Sequence, residues 1–189
     1  LDLYIGTYKQ CRKKWLKMSK NFILVRDKIF SKKECKHMID TYGKNCIDGE
    51  KPYFGYNFYD IETFEYYDKI SPVVEEYKKT FKGIEMTASK WRLGSFRFKH
   101  FKPNNHFSCW HSEHAMSYLK RVLNVQVYLS DHDCGTEFLD YETIKSVIGR
   151  VAIFPSYFTH THKGQVCPKN KDRYILTSYM EFYEKGILE

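Results

Sequence analysis

The sequence predicts a mainly β domain with flanking helices: a barrel-like or sandwich sheet with helices packed outside it. Three observations carry this. Tyr (16) and Phe (14) are abundant while alanine is scarce, a balance that suits pleated surfaces better than helical bundles. Helical spacing of apolar residues is confined to the first half of the chain. From residue 91 onward, short apolar or alternating runs are separated by turn residues. With 189 residues and 42% hydrophobic content, the chain can bury a sizeable core as one domain.

The elements follow in order. Residues 1–20 carry Arg12, Lys13, Lys14, Lys17 and Lys20 and read as an extension. Phe22-Ile23-Leu24-Val25 is a short apolar run that predicts a strand. Ser31-Lys32-Lys33-Glu34 is a capping box, and Cys35, Met38, Ile39 and Tyr42 follow at the spacing of a buried helix face, with Gly43 as its stop. Residues 53–60 are aromatic and irregular. A second helix is expected to start at Ser71-Pro72, with Pro at the first helical position and Val74, Tyr77 and Phe81 as its apolar stripe. Ser95–Phe101 alternates with period two, and Pro103-Asn104-Asn105 ends it. Further strands are expected at Arg121–Leu129, Thr136–Leu139, Val151–Phe154 and Tyr174–Met180. The organisation is then one domain over 1–189: an extension (1–20), a helical support region (21–90) and a β core (91–182).

The formal charge is +8, which could draw nucleic acid, an anionic surface or an acidic substrate, but the excess is scattered in short Lys groups as on a solvated surface. The six cysteines form no Cys-x-x-Cys pair, which argues against a zinc ribbon or a thioredoxin-like motif. A chain of this length needs no disulfides, so a reducing, cytoplasmic compartment is expected. No run approaches the roughly 18 apolar residues of a membrane span, and no secretory leader is read at the start, where Leu1 rather than Met suggests a processed form or an excised domain.

Chemistry concentrates in Trp110-His111-Ser112-Glu113-His114 and, some fifty residues later, Thr159-His160-Thr161-His162-Lys163-Gly164. On an extended strand, His111 and Glu113 point to one face. One distant histidine would complete three ligands on one side of a metal and leave the other side open, the two-histidine, one-carboxylate arrangement of non-haem Fe(II) oxygenases. Being two apart, His160 and His162 are both available for that place. A zinc site from Cys109, His111, His114 and a late histidine is a further reading, although its spacing matches no common zinc pattern. Arg173, at the start of the last strand, can fork two N–H groups onto a carboxylate.

Taken in order, these residues resemble the Fe(II)- and 2-oxoglutarate-dependent oxygenases. The resemblance rests on Phe98–Pro103 leading to His111-x-Glu113, Arg121 to Tyr128-Leu129-Ser130-Asp131, Gly135-Thr136-Glu137-Phe138, Gly149–Pro155, then His162 and Arg173. It covers roughly residues 21–182 and is nearest to the prolyl and lysyl hydroxylase branch, in the versions carried by viruses and phages. It implies a double-stranded β-helix of jelly-roll type. It implies that His111, Glu113 and His162 bind Fe(II), and that Arg173 holds the distal carboxylate of 2-oxoglutarate with help from Tyr128 and Thr177. O2 is the other co-substrate, and ascorbate is an accessory reductant in the same picture. His162 is preferred because the family's ligand precedes a basic residue and Gly, with His160 in reserve and His114 expected in the pocket wall or a structural role. Two departures stand out: Glu113 where most of the family has Asp, and Cys134-Gly135 where it has Gly-Gly.

The activity so implied is hydroxylation of a C–H bond in a peptidyl, prolyl- or lysyl-like substrate, with release of succinate and CO2. The partner is then a peptide or protein. Two other expectations stand beside it: a related oxygenase acting on nucleic acid or a small molecule, and a non-catalytic module retaining the fold. Substrate-selecting loops are expected within residues 44–70 and 84–92.

Overall fold

The computed structural model describes residues 21–48, 56–86, 90–166 and 170–182. The expected extension at 1–20, Tyr53-Phe54-Gly55, the segment 87–89 and Pro168-Lys169 lie outside the described residues. Among the described residues, ten strands and two α-helices succeed one another: β1 (Leu24–Arg26), α1 (Lys32–Tyr42), β2 (Asn57–Ile61), α2 (Tyr67–Thr80), β3 (Trp91–Leu93), β4 (Phe96–Phe101), β5 (Arg121–Tyr128), β6 (Gly135–Phe138), β7 (Ile144–Lys145), β8 (Arg150–Pro155), β9 (His162–Gly164) and β10 (Arg173–Phe182).

The larger sheet runs β1-β8-β5-β10-β4-β2, with β3 pairing the far end of β10, and the smaller sheet runs β7-β6-β9. All pairings are antiparallel. The period-two alternation of side chains divides the larger sheet into two faces. Leu123, Val125, Val127, Val151, Ile153, Leu176 and Phe98 face one way and pack with Cys35, Met38 and Tyr42 of α1 and Ile70, Val73, Val74 and Tyr77 of α2. Tyr128, Ala152, Phe154, Ile175 and Phe101 face the other way and pack with Phe138 and Ile144 of the smaller sheet. The two sheets thus enclose a space, which is the double-stranded β-helix arrangement.

Helix α1 begins as its sequence dictates. The Glu34 N–H donates to Ser31 Oγ (3.2 Å), and the Ser31 N–H donates to Glu34 Oε2 (2.8 Å). Its end differs from expectation: Gly43 is right-handed (φ −59°) and its N–H continues the ladder to Ile39 O, so the helix tightens into a short 3-10 turn, Gly43–Asn45. Helix α2 starts at Tyr67, ahead of the expected Ser71-Pro72, and holds Pro72 inside it. Its first turn closes with short-range bonds, Tyr67 N–H to Phe64 O (3.3 Å) and Lys69 N–H to Tyr66 O (3.0 Å). The bond that Pro72 forfeits would have gone to Asp68, on the exposed first turn where its loss costs least.

The irregular reading of 53–60 is also corrected, because Asn57–Ile61 pairs in full with β4. Phe58 packs toward the cavity side and Tyr59 toward the helices, so both faces are covered and no polar alternation marks the strand. One glycine is conformationally required. Gly149 has φ +80°, and a Cβ there would lie 2.0 Å from Phe30 O. Its own carbonyl accepts from the Ile29 and Phe30 N–H groups (3.0 and 3.2 Å), locking the β1–α1 connection onto the start of β8. Cys35, Cys46 and Cys109 are free thiols. Among the described residues no helix is long and apolar enough to cross a membrane.

Candidate active site

The expectation that Trp110–His114 forms a strand does not hold. His111 makes a single isolated bridge with His162, in which each N–H donates to the other's carbonyl (3.0 and 2.9 Å), and the chain around it turns. The His114 N–H then donates to Ser156 O (2.9 Å), anchoring the segment against the end of β8. Sheet pairing and a turn, not strand alternation, therefore bring Glu113 round to the face of His111.

The result is compact. One ligand-capable atom each from His111, Glu113 and His162 lies within 4.8 Å of the others. Glu113 Oε1 is 3.6 Å from His111 Nε2 and 3.9 Å from His162 Nε2. Both imidazoles have their other nitrogen engaged: His111 Nδ1 by Cys109 O (2.9 Å) and His162 Nδ1 by His160 O (2.9 Å). A carbonyl can only accept, so each Nδ1 carries the proton and each Nε2 lone pair is free, the usual outer support of a histidine ligand. Burial first, and then the charge of His111, take the His162 imidazole down to about 4, so it is neutral at pH 7. Burial pushes the Glu113 carboxyl up, but the His111 contact and then the charge of Lys99 prevail and hold it at about 2. Two neutral imidazoles and a carboxylate form a donor set that fits Fe(II).

His160 stands apart. It sits on a 3-10 turn with Nε2 2.7 Å from Asn21 O and Nδ1 3.0 Å from Thr159 Oγ1, and its ring stacks on Tyr141. His114 is likewise engaged, with Nδ1 3.2 Å from Arg121 O and its ring against Tyr157. Neither it nor Cys109 joins the ligand cluster, so the zinc reading finds no site among the described residues.

The three residues open onto a cavity of about 550 Å³ between the sheets, whose wall also includes Arg173, Thr177, Thr136, Gln126 and Lys99. Arg173 is 1% exposed and no carboxylate among the described residues answers it: its Nη1 donates to Gly135 O (3.2 Å) and Gln165 O (3.4 Å), and its guanidinium lies over the Phe101 ring. Arg173 Nε and Thr177 Oγ1 are buried without a hydrogen-bond partner among the described residues. Orphaned polar atoms in such a place are costly, and an anion with acceptor oxygens fits them. Tyr128 is placed differently from the other proposed anchors. It is fully buried behind the wall, and its hydroxyl donates to Thr136 Oγ1 (2.8 Å), which does line the cavity.

Sequence reasoning missed how Glu113 is held. Arg121 Nη1 donates to Glu113 Oε2 (3.1 Å) and Asn124 Nδ2 to Oε1 (3.2 Å). The Arg121 guanidinium is sandwiched between the rings of Tyr118 (3.7 Å) and Tyr179 (3.6 Å). The available signal was parity: Asn124 and Gln126 are polar residues on every second position of an otherwise apolar strand.

No family model and no curated protein sequence matches the chain. Solved structures do. A viral collagen prolyl hydroxylase from Paramecium Bursaria Chlorella virus-1, in complex with 2-oxoglutarate, superposes with a TM-score of 0.64 at 16% identity over 84% of this chain and 95% of that one. A prolyl hydroxylase from Trichoplax adhaerens, in complex with a hypoxia inducible factor peptide, gives 0.65 at 14% identity over 93% and 94%. HygX from Streptomyces hygroscopicus, with nickel and 2-oxoglutarate bound, gives 0.59 at 10% identity over 90% and 86%. The chain therefore has the double-stranded β-helix fold of the 2-oxoglutarate oxygenases.

Proposed function

We propose that this protein is an Fe(II)- and 2-oxoglutarate-dependent dioxygenase that hydroxylates a peptidyl, prolyl- or lysyl-like residue. One observation carries the reading: the His111–Glu113–His162 cluster and the uncompensated Arg173 line the same cavity. The bound ligands of neighbours of the same fold support it, being 2-oxoglutarate, nickel with 2-oxoglutarate, and a peptide.

Bound together, the metal and the oxo acid would activate O2, the oxidant, for insertion of one oxygen atom into a C–H bond. The chain's own contribution is geometric and electrostatic. His111 and His162 present Nε2, and Glu113 presents Oε1 while its other oxygen stays with Arg121. Arg173 and Thr177 offer buried donors to the distal carboxylate, and Phe101 and Ile175 keep that end dry. Trp110, Met116 and Tyr118 stand exposed on the β4–β5 connection that carries the ligands, apolar contacts suited to a peptide. Two of the cations that line the cavity are already paired, Arg97 with Asp60 and Arg121 with Glu113, which leaves less positive charge for a nucleic-acid backbone than for a peptide.

The test is succinate formation from 2-oxoglutarate under air. Fe(II)-dependent release by the native protein, absent in His111→Ala, is the expected result, and a proline- and lysine-containing peptide library should gain one oxygen atom. Full turnover in His111→Ala would overturn the metal assignment. Succinate release with no oxygenated peptide would remove the peptidyl substrate and leave the oxygenase.

A further inference from the structure

Strand β4 turns Arg97, Lys99 and Phe101 toward the cavity, every second residue. Four cations line that wall, and two are accounted for: Arg97 forks onto Asp60 (2.6 and 2.8 Å), and Arg121 holds Glu113 (3.1 Å). Arg173 meets no carboxylate among the described residues. Lys99 is the fourth. Among the described residues its ammonium makes no salt bridge, and its one close contact is the face of Tyr56, 5.1 Å from the ring centroid. Lys99 lines the same cavity as His111, Glu113 and His162.

Two cations in one cavity with no counter-ion among the described residues call for two negative charges. Their placement says how far apart. In the β10–β4 register Arg173 lies opposite Phe101 and Ile175 opposite Lys99, so the two come from adjacent strands, two residues apart. That is about 7 Å along the strands, the scale of a short dicarboxylate. A dication held by Glu113 also leaves one positive charge uncancelled beside Lys99. Metal alone therefore meets repulsion there, which a second anion would relieve.

Building on the oxygenase reading, we propose that Lys99 is the second anion seat of this cavity, binding the carboxylate next to the keto group of 2-oxoglutarate while Arg173 binds the distal one. Lys99 then couples the two ligands: it disfavours the metal alone and favours the metal with its oxo acid, so each strengthens the other's binding.

The experiment uses anaerobic calorimetric titrations of the full chain with Mn(II) alone, and of the Mn(II)-loaded protein with 2-oxoglutarate, for native protein, Lys99→Met and Lys99→Arg. Lys99→Met should bind 2-oxoglutarate at least about tenfold more weakly yet bind Mn(II) alone as tightly as native or tighter. Lys99→Arg should keep most of the 2-oxoglutarate affinity. Opposite effects on the two ligands cannot come from general damage to the fold. Lys99→Met with native 2-oxoglutarate affinity would overturn the assignment and leave Lys99 to some other anion, while the oxygenase reading stands. Parallel loss of both ligands would also overturn it, as a structural defect. Native protein that binds Mn(II) but no 2-oxoglutarate would bring down the underlying reading and this one with it.

Discussion

Glutamate reaches one methylene further than aspartate and has one more torsion to hold. Here the extra freedom is removed at both oxygens, Oε2 by Arg121 and Oε1 by Asn124, while Arg121 is itself clamped between two tyrosine rings. A lysine cannot reproduce a stacked, planar fork. Arg121→Lys should therefore weaken Mn(II) binding by about 10- to 100-fold, as losses of outer support to a metal site do, with the fold unchanged by circular dichroism. The late histidines make a sharper pair. Alternation alone puts His160 and His162 on one face, so the residues by themselves left both open. The structure separates them because the 3-10 turn Phe158–His160 breaks the strand and spends both His160 nitrogens elsewhere. His162→Ala should abolish Mn(II) binding measured by electron paramagnetic resonance, whereas His160→Ala should retain it and lose stability. The types and order of the candidate ligands were legible in the sequence. The positions of Tyr128 and Lys99 were not, because which side of a sheet faces a cavity depends on pairing partners far along the chain.

At the level of elements, legibility followed how each is covered. β4 alternates visibly, whereas β2 is packed on both faces and has no pattern to read. Helix α1 announced itself through its cap, and that cap carries a pH dependence. A short hydrogen bond from Lys69, aided by the Ser31 N–H and hydroxyl, draws the Glu34 carboxyl down to about 2, below its ordinary 4.5. The folded form thus binds its proton less readily than the unfolded one. The stabilisation is full above about pH 4.5 and drains away as pH falls toward 2. Glu34→Gln should cost about 0.5–1 kcal/mol at pH 7, a partly exposed pair being worth no more. In urea unfolding across a pH series, the gap between native and variant should close by pH 2. A gap that is constant with pH would show that packing, not charge, is at work.

Across the whole molecule, the larger sheet serves two interiors. Its helix-facing side is a dry core in which Phe98 is fully buried, and Phe98→Ala should cost about 3–5 kcal/mol by chemical denaturation without touching a ligand. Its other side contributes Arg173 and Thr177, while His162 belongs to the smaller sheet and His111 to the connection bridged to it. Ligands that engage both sets hold the sheets together. Mn(II) and 2-oxoglutarate, each at 100 times its dissociation constant, should add about 2.7 kcal/mol apiece, together a rise of about 10–20 °C in melting temperature for a domain of this size. His111→Ala should show none of it.

The single bridge between His111 and His162 has one more consequence. It is a ladder one rung long, and a slip of one residue would set Thr161 or Lys163 opposite His111 and turn the second imidazole to the wrong side of its strand. An ion captured by three ligands rewards the true alignment alone. A metal held by this cluster would thereby proofread the assembly of the sheets that carry it.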